Sequence, residues 1–144
     1  MPARSESVTI EIAPLMETIL VVDDEPTVLN LCRRILERGG YSVVTAAGGA
    51  EALRRLTSGP APIDLALLDV MMPVMNGIEL ARRIQAEKPE MPVVLMTGFG
   101  PQEIARVAGE TNPYRVIWKP FKTESLLRMI ENALNGSSGA PPAK

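Results

Sequence analysis

Five side chains in this sequence of 144 residues could do phosphorus chemistry, and each follows a short apolar run. Asp23 and Asp24 follow Thr18-Ile19-Leu20-Val21-Val22. Asp69 follows Leu65-Ala66-Leu67-Leu68. Thr97 follows Pro92-Val93-Val94-Leu95-Met96, and Lys119 follows Val116-Ile117-Trp118. A carboxylate at the end of a buried strand is costly to desolvate unless something offsets its charge. Three carboxylates crowded together repel as well. Two counter-charges are available: the ammonium of Lys119, or a hard divalent cation. With so few carboxylates, Mg²⁺ sharing its shell with water is the natural ion. An aspartate placed this way can attack phosphorus and form an aspartyl phosphate. The metal and Lys119 would neutralise charge building on the phosphoryl oxygens, and Thr97 offers them a hydroxyl.

These residues meet only if the intervening elements bring them to one edge. The runs at 18–22, 65–68, 92–96 and 116–118 are short, apolar and bounded by Pro, Gly or charged residues, as strands buried on both faces are. Residues 41–46 (Tyr-Ser-Val-Val-Thr-Ala) read as a further strand. Helical periodicity fills the gaps. Pro26 opens the first helix, where a missing N–H costs little. Its stripe is Val28, Leu31, Cys32 and Ile35, and Gly39-Gly40 stop it. Ala52, Leu53 and Leu56 mark the second helix. Ile78, Leu80, Ala81 and Ile84 mark a third, from Gly77 to about residue 88. Residues 102–108 make a short fourth helix, the least firmly held. Thr123 suits the cap of the fifth, whose buried face is Leu126, Leu127, Ile130 and Leu134, with Gly136 at its end.

Strand and helix alternate five times, which predicts an α/β fold: a single doubly wound (βα)5 flavodoxin-like domain with a parallel five-stranded sheet. The usual order is 2-1-3-4-5, and ligands then bind at the carboxyl ends of strands 1 and 3. All five chemical residues fall on that rim. The domain spans residues 18–135. Residues 1–17 form an N-terminal extension, in which Val8, Ile10 and Ile12 are spaced as in a short strand although a loose leader is commoner. Residues 136–144 form a flexible Gly/Ser/Pro tail.

Composition narrows the function classes. There is no histidine, which removes histidine metal sites, serine–histidine hydrolysis and a phosphohistidine on this chain. The single Cys32 cannot form an internal disulfide and reads as core. A formal net charge of −2 gives no general pull toward nucleic acid or anionic membrane. The pairs Arg33-Arg34, Arg54-Arg55 and Arg82-Arg83 read as solvated helix faces. No run approaches the roughly 20 apolar residues of a membrane span, and no signal-peptide core is present, so a cytoplasmic location is expected. A Gly-rich phosphate cradle is missing, so the phosphoryl group must come from a ready-made donor, not from bound ATP.

The motifs Ile19-Leu20-Val21-Val22-Asp23-Asp24-Glu25-Pro26, Leu67-Leu68-Asp69-Val70-Met71-Met72-Pro73 with Asn76-Gly77, Met96-Thr97-Gly98 and Trp118-Lys119-Pro120-Phe121 occur in that order, each at a strand end. In them the chain resembles a response-regulator receiver domain of two-component signalling. The resemblance implies that Asp69 accepts a phosphoryl group from a phosphohistidine. It implies that Asp24, Asp69 and the backbone carbonyl of Met71 ligate Mg²⁺, with Asp23 acting through metal-bound water. Thr97 and Lys119 would contact the phosphoryl group, and the Lys119-Pro120 bond would be cis. The implied partners are a histidine kinase or histidine phosphotransfer protein and a downstream protein target. No direct nucleic-acid or membrane binding is implied, and a homodimer is left open. Apart from taking up and slowly losing its phosphoryl group, such a chain is not an enzyme. Phosphorylation would shift the surface of strand 4, helix 4, strand 5 and helix 5 between two existing arrangements.

One position departs from that pattern. An aromatic residue commonly stands three before the lysine. Here that residue is Val116, with aromatics at Tyr114 and Trp118, so the usual tyrosine–threonine switch is doubtful. Met71 and Phe99, two residues beyond Asp69 and Thr97, cannot hydrogen-bond a hydrolytic water, which predicts a long-lived aspartyl phosphate. Three other functions compete. The chain could be the receiver module of a hybrid histidine kinase. A haloacid-dehalogenase-type phosphatase would want a second aspartate at position 71 and a cap domain. A flavodoxin-like cofactor binder would want a Ser/Thr/Gly loop where Asp23-Asp24-Glu25-Pro26 stands.

Overall fold

The computed structural model describes residues 16–59, 62–98, 100–109 and 112–136. The alternation at Val8–Ile12, the side chain of Phe99 and the tail beyond residue 136 lie outside the described residues. Strands β1 (Thr18–Val22), β2 (Ser42–Ala46), β3 (Leu65–Asp69), β4 (Val93–Thr97) and β5 (Arg115–Trp118) alternate with helices α1 (Pro26–Arg38), α2 (Gly49–Ser58), α3 (Gly77–Glu87), α4 (Pro101–Ala108) and α5 (Thr123–Leu134). The five strands form one parallel sheet in the order β2-β1-β3-β4-β5, as expected of alternating β and α units.

Strand alternation sorts the core into two layers. Ile19, Val21, Leu65, Leu67, Val94, Met96 and Ile117 face α1 and α5, which answer with Cys32, Ile35, Leu36, Leu126, Ile130 and Ala133. Leu20, Val22, Ala66, Leu68, Val93 and Leu95 face the other way, onto Ala52 and Leu56 of α2, Leu80, Ala81 and Ile84 of α3, and Ile104 of α4. β1, β3 and β4 are buried along their whole length. This is why they read as continuous apolar runs. Each fully buried Leu or Ile among them contributes about 1.5–3 kcal/mol.

Two details of the helices differ from the sequence reading. Leu31 is 47 % exposed, and Leu36 is fully buried in its place. The stripe of α1 is centred between Cys32 and Leu36, and Leu31 lies roughly 120° around the helix from that centre. Thr123 is not a cap: α5 begins with it, and Lys122 takes the extended cap conformation without a side-chain bond to the helix. β4 also runs one residue further than its apolar stretch, so Thr97 is inside the ladder, opposite Trp118.

Candidate functional site

Strand register sets the height of each chemical residue. Asp69 pairs with Met96, and Met96 with Ile117. Val22 pairs with Leu68, which puts Asp23 level with Asp69 on the neighbouring strand. Asp23 and Asp69 also share the parity of Val21 and Leu67, so both lean toward the layer of α1 and α5. Lys119 has the parity of Ile117 and stands two residues above this level. Its four-carbon stem reaches back, and Nζ donates to Asp23 Oδ2 at 3.0 Å and to Asp69 Oδ1 at 3.1 Å. The Asp23 side chain is fully buried, the Asp69 side chain is 8 % exposed and that of Lys119 is 23 % exposed.

The backbone holds this arrangement at several points. Lys119 N donates to Thr97 O at 2.7 Å, tying the lysine to the end of β4. The Lys119-Pro120 bond is cis, as the resemblance implies. Glu25 N donates to Asp23 Oδ1 at 2.9 Å, which fixes the Asp23 rotamer as α1 begins. After Asp69 the chain turns at once: Val70 N donates to Met96 O, and Gly77 N returns to Val70 O at 2.8 Å. Glycine is required at 77 because a Cβ there would collide with the Asp69 carbonyl oxygen and stand 3.0 Å from Val70 Cα. Asn76 then caps α3. Its Oδ1 accepts from Ile78 N and Glu79 N at 2.9 Å, and Glu79 Oε1 accepts from Asn76 N at 3.4 Å. The spacing Asn76…Glu79 carries the signal of that reciprocal box.

Asp24 is exposed, yet Asp23, Asp24 and Asp69 each present a carboxylate oxygen within 4.8 Å of the others. Three carboxylates against one ammonium leave an excess of two negative charges. The donors are all oxygen and one is open to water, a set that suits a hard divalent cation. Burial, then the charge of Asp23, push the Asp69 carboxyl up to about 6 despite the opposing pull of Lys119. Burial works to lower Lys119, but its hydrogen bonds to Asp23 and Asp69 outweigh this and hold it above its ordinary value. Cys32 lies within the electrostatic reach of this group. Burial and Asp23 raise its thiol to about 12, so it is an inert core residue.

Asp23, Asp24, Asp69 and Lys119 form one cluster. Thr97 is buried one level above Asp69 and carries the parity of Leu95, on the α4 side of the sheet. The methionines of the β3–α3 loop also divide. Met72 is buried, Met75 packs against the Gly49 position, and Met71 is 44 % exposed. On the β5 edge, Val116 is half-buried and Trp118 is 42 % exposed. Together they line a groove of about 170 Å³ with Pro101, Ile104 and Ala105 of α4.

Comparison with known proteins matches residues 19–131 to the family model of the response regulator receiver domain. The chain is 38 % identical over 122 residues to the transcriptional regulatory protein GlrR of Escherichia coli, covering 85 % of this chain and 27 % of that one. It is 36 % identical over 127 residues to the alkaline phosphatase synthesis transcriptional regulatory protein PhoP of Bacillus subtilis, covering 87 % and 51 %. The chain therefore spans about a quarter to a half of the length of these curated relatives. Among solved structures, a response regulator receiver domain protein from Clostridium thermocellum superposes with a TM-score of 0.74 at 34 % identity, covering 83 % of this chain and 95 % of that one. No helix among the described residues is long and apolar enough to cross a membrane.

Proposed function

The chain belongs to the response regulator receiver domains of two-component signalling, and from that premise we propose that it is a phosphoacceptor switch in which Asp69 takes a phosphoryl group from a partner histidine kinase or phosphotransfer protein. One observation carries the reading: a single ammonium, Lys119 Nζ, bridges Asp23 and Asp69 at the carboxyl ends of adjacent parallel strands, with Asp24 beside them. Mg²⁺, which Asp24, Asp69 and the Met71 carbonyl would hold with Asp23 acting through water, would supply further neutralisation of the phosphoryl oxygens.

The residues of the chain do the rest. Asp69 is the nucleophile, and its carboxylate attacks the phosphorus as the bond to the donor imidazole breaks. Lys119 is already oriented toward Asp69 Oδ1, so little reorganisation is needed as charge moves onto the phosphoryl group. Thr97 supplies a hydroxyl donor from the next strand. The product carries roughly two negative charges where one carboxylate stood. Thr97 and its loop follow that charge, shifting the β4–α4–β5–α5 surface toward one of two arrangements and changing its affinity for a downstream protein. A second aspartate at position 71 would be needed for dehalogenase-type phosphatase turnover, and that position is an exposed methionine.

The test uses acetyl phosphate and an autophosphorylated histidine kinase as donors, with and without Mg²⁺, and reads acid-stable, base-labile label on the chain. Label should require both Mg²⁺ and Asp69, and beryllofluoride should change Trp118 fluorescence. Equal labelling of Asp69→Asn, or labelling indifferent to Mg²⁺, overturns the proposal.

A further inference from the structure

The stretch between β3 and α3 is braced from the side of α2. Gly77 N donates to Val70 O at 2.8 Å, which closes residues 71–76 into a loop standing on the end of β3. Within it Met71, Pro73 and Val74 are exposed, and Met72 is buried. Met75 N donates to Pro73 O at 2.7 Å, closing a tight turn in which Val74 has φ 72°. The turn brings the chain back, and the Met75 side chain packs on the core layer that α2 and α3 fill. What it meets there is Gly49, the buried first residue of α2. A Cβ on Gly49 would stand 2.7 Å from Met75 Sδ and 3.2 Å from Met75 Cβ and Cε. A contact that close exists only because position 49 has no side chain. Backbone torsion does not demand glycine there, since Gly49 has φ outside the left-handed region, and Ala would be the better helix former.

We propose that Met75, seated on Gly49, is a positioning residue for the divalent cation: it braces the loop against α2 and so keeps the Met71 carbonyl in place as a ligand. The inference rests on the phosphoacceptor reading above and deepens it. α2 brings no ligand to the cluster of Asp23, Asp24 and Asp69, yet its first residue then sets how tightly the cation is held. The ladder and the Lys119 bridge fix Asp69. The Met71 carbonyl has no ladder to fix it, because it lies two residues beyond the end of β3. Its place depends on the side chains that anchor the loop, Met72 and Met75. Mg²⁺ demands near-ideal octahedral geometry, so a small displacement of one oxygen ligand weakens it.

Mg²⁺ titration of the whole chain by isothermal calorimetry at pH 7.5 tests this. Gly49→Ala should weaken Mg²⁺ binding about fivefold and Met75→Ala about tenfold, as loss of the groups that support a metal ligand does. Met75→Leu refills much of the same space and should bind within about twofold of the parent. The double variant Gly49→Ala/Met75→Ala should lose no more than Met75→Ala alone, because the added methyl then has no thioether to push. Leu56→Ala, in the same core layer two turns further along α2, should lower the thermal midpoint yet leave Mg²⁺ affinity within about twofold. Unchanged affinity in either Gly49→Ala or Met75→Ala overturns the proposal. Additive losses in the double variant overturn it, as does an equal loss in Leu56→Ala, which would mean a general loosening of α2. A parent chain that binds no Mg²⁺ overturns it too. The phosphoacceptor reading fails by a separate result: a chain that binds Mg²⁺ but takes no label from acetyl phosphate or a histidine kinase refutes that reading, while the calorimetry still decides the role of Met75.

Discussion

Replacing Asp69 by Asn should stabilise the metal-free protein at neutral pH, although Asp69 makes a buried ion pair. The Asp69 carboxyl is raised from 3.8 to about 6, first by burial and then by Asp23. The folded state therefore binds a proton more tightly than the unfolded chain does. The sign follows from linkage: below about pH 4 both states are protonated at this site and no penalty applies. Between about pH 4 and 6 the unfolded chain ionises first, and stability falls as pH rises. Above about pH 6 the penalty is complete. The displacement of roughly two pH units corresponds to at most ~3 kcal/mol. Asn fills the same volume, its Oδ1 can still accept from Lys119, and Lys119 keeps its bond to Asp23. Urea unfolding in EDTA, followed by Trp118 fluorescence, measures this directly. At pH 7.5 the variant should exceed the parent by about 1–3 kcal/mol, and the two curves should converge near pH 4. Adding Mg²⁺ should stabilise the parent more than the variant, since Asp69 is one of its proposed ligands. A variant no more stable than the parent at pH 7.5, or an advantage that persists unchanged at pH 4, would refute the electrostatic account of the site.

Other perturbations probe the scaffold and the proposed chemistry. Gly77→Ala should destabilise by about 2–3 kcal/mol or more, because backbone atoms that cannot rotate away meet the new methyl; thermal unfolding measures it, and a loss under 0.5 kcal/mol would show that the turn can open. Asn76→Ala should remove the reciprocal cap of α3 at a cost of about 1 kcal/mol, read by urea unfolding and recovered largely by Asn76→Asp. Met71→Asn should speed loss of label from the phosphorylated chain, since an amide at this exposed position can orient a hydrolytic water; a decay rate no faster than the parent's would show that the methionine does not set the phosphoryl lifetime.

Much of the site was legible because strands buried on both faces declare themselves. Apolar runs of four or five residues that end in Asp23-Asp24, Asp69, Thr97 and Lys119 mark their own carboxyl ends, and parallel alternation puts those ends on one rim. What could not be read was anything depending on side-chain reach or on a single torsion. That the Lys119 stem bends back two levels to bridge both carboxylates is a fact of three dimensions. The left-handed turn at Val74 was hidden because the sequence there offers a residue that disfavours it. Leu31 misled for another reason. Helical spacing fits Leu31 and Leu36 equally well, and only the position of the sheet decides which of them is inside.

Register and parity also explain how a charge placed at Asp69 could be felt on the far side of the sheet. Asp23, Asp69 and Lys119 carry the parity of the layer of α1 and α5. Thr97 carries the opposite parity, and its ladder partner Trp118 stands beside it on the α4 side, next to Val116 and the groove along α4. In the proposed switch, a hydroxyl drawn toward a phosphoryl group on Asp69 pulls on the end of β4, where Trp118 is the ladder partner. Val116 fills less of the α4 side than an aromatic ring would, so the large movable group at this edge is Trp118, 42 % exposed and directly opposite Thr97. Trp118→Phe should therefore weaken the response of the α4 face to beryllofluoride while leaving labelling of Asp69 unchanged, as hydrogen exchange along α4 would show. An undiminished response would mean that the signal leaves Thr97 through the β4–α4 backbone alone.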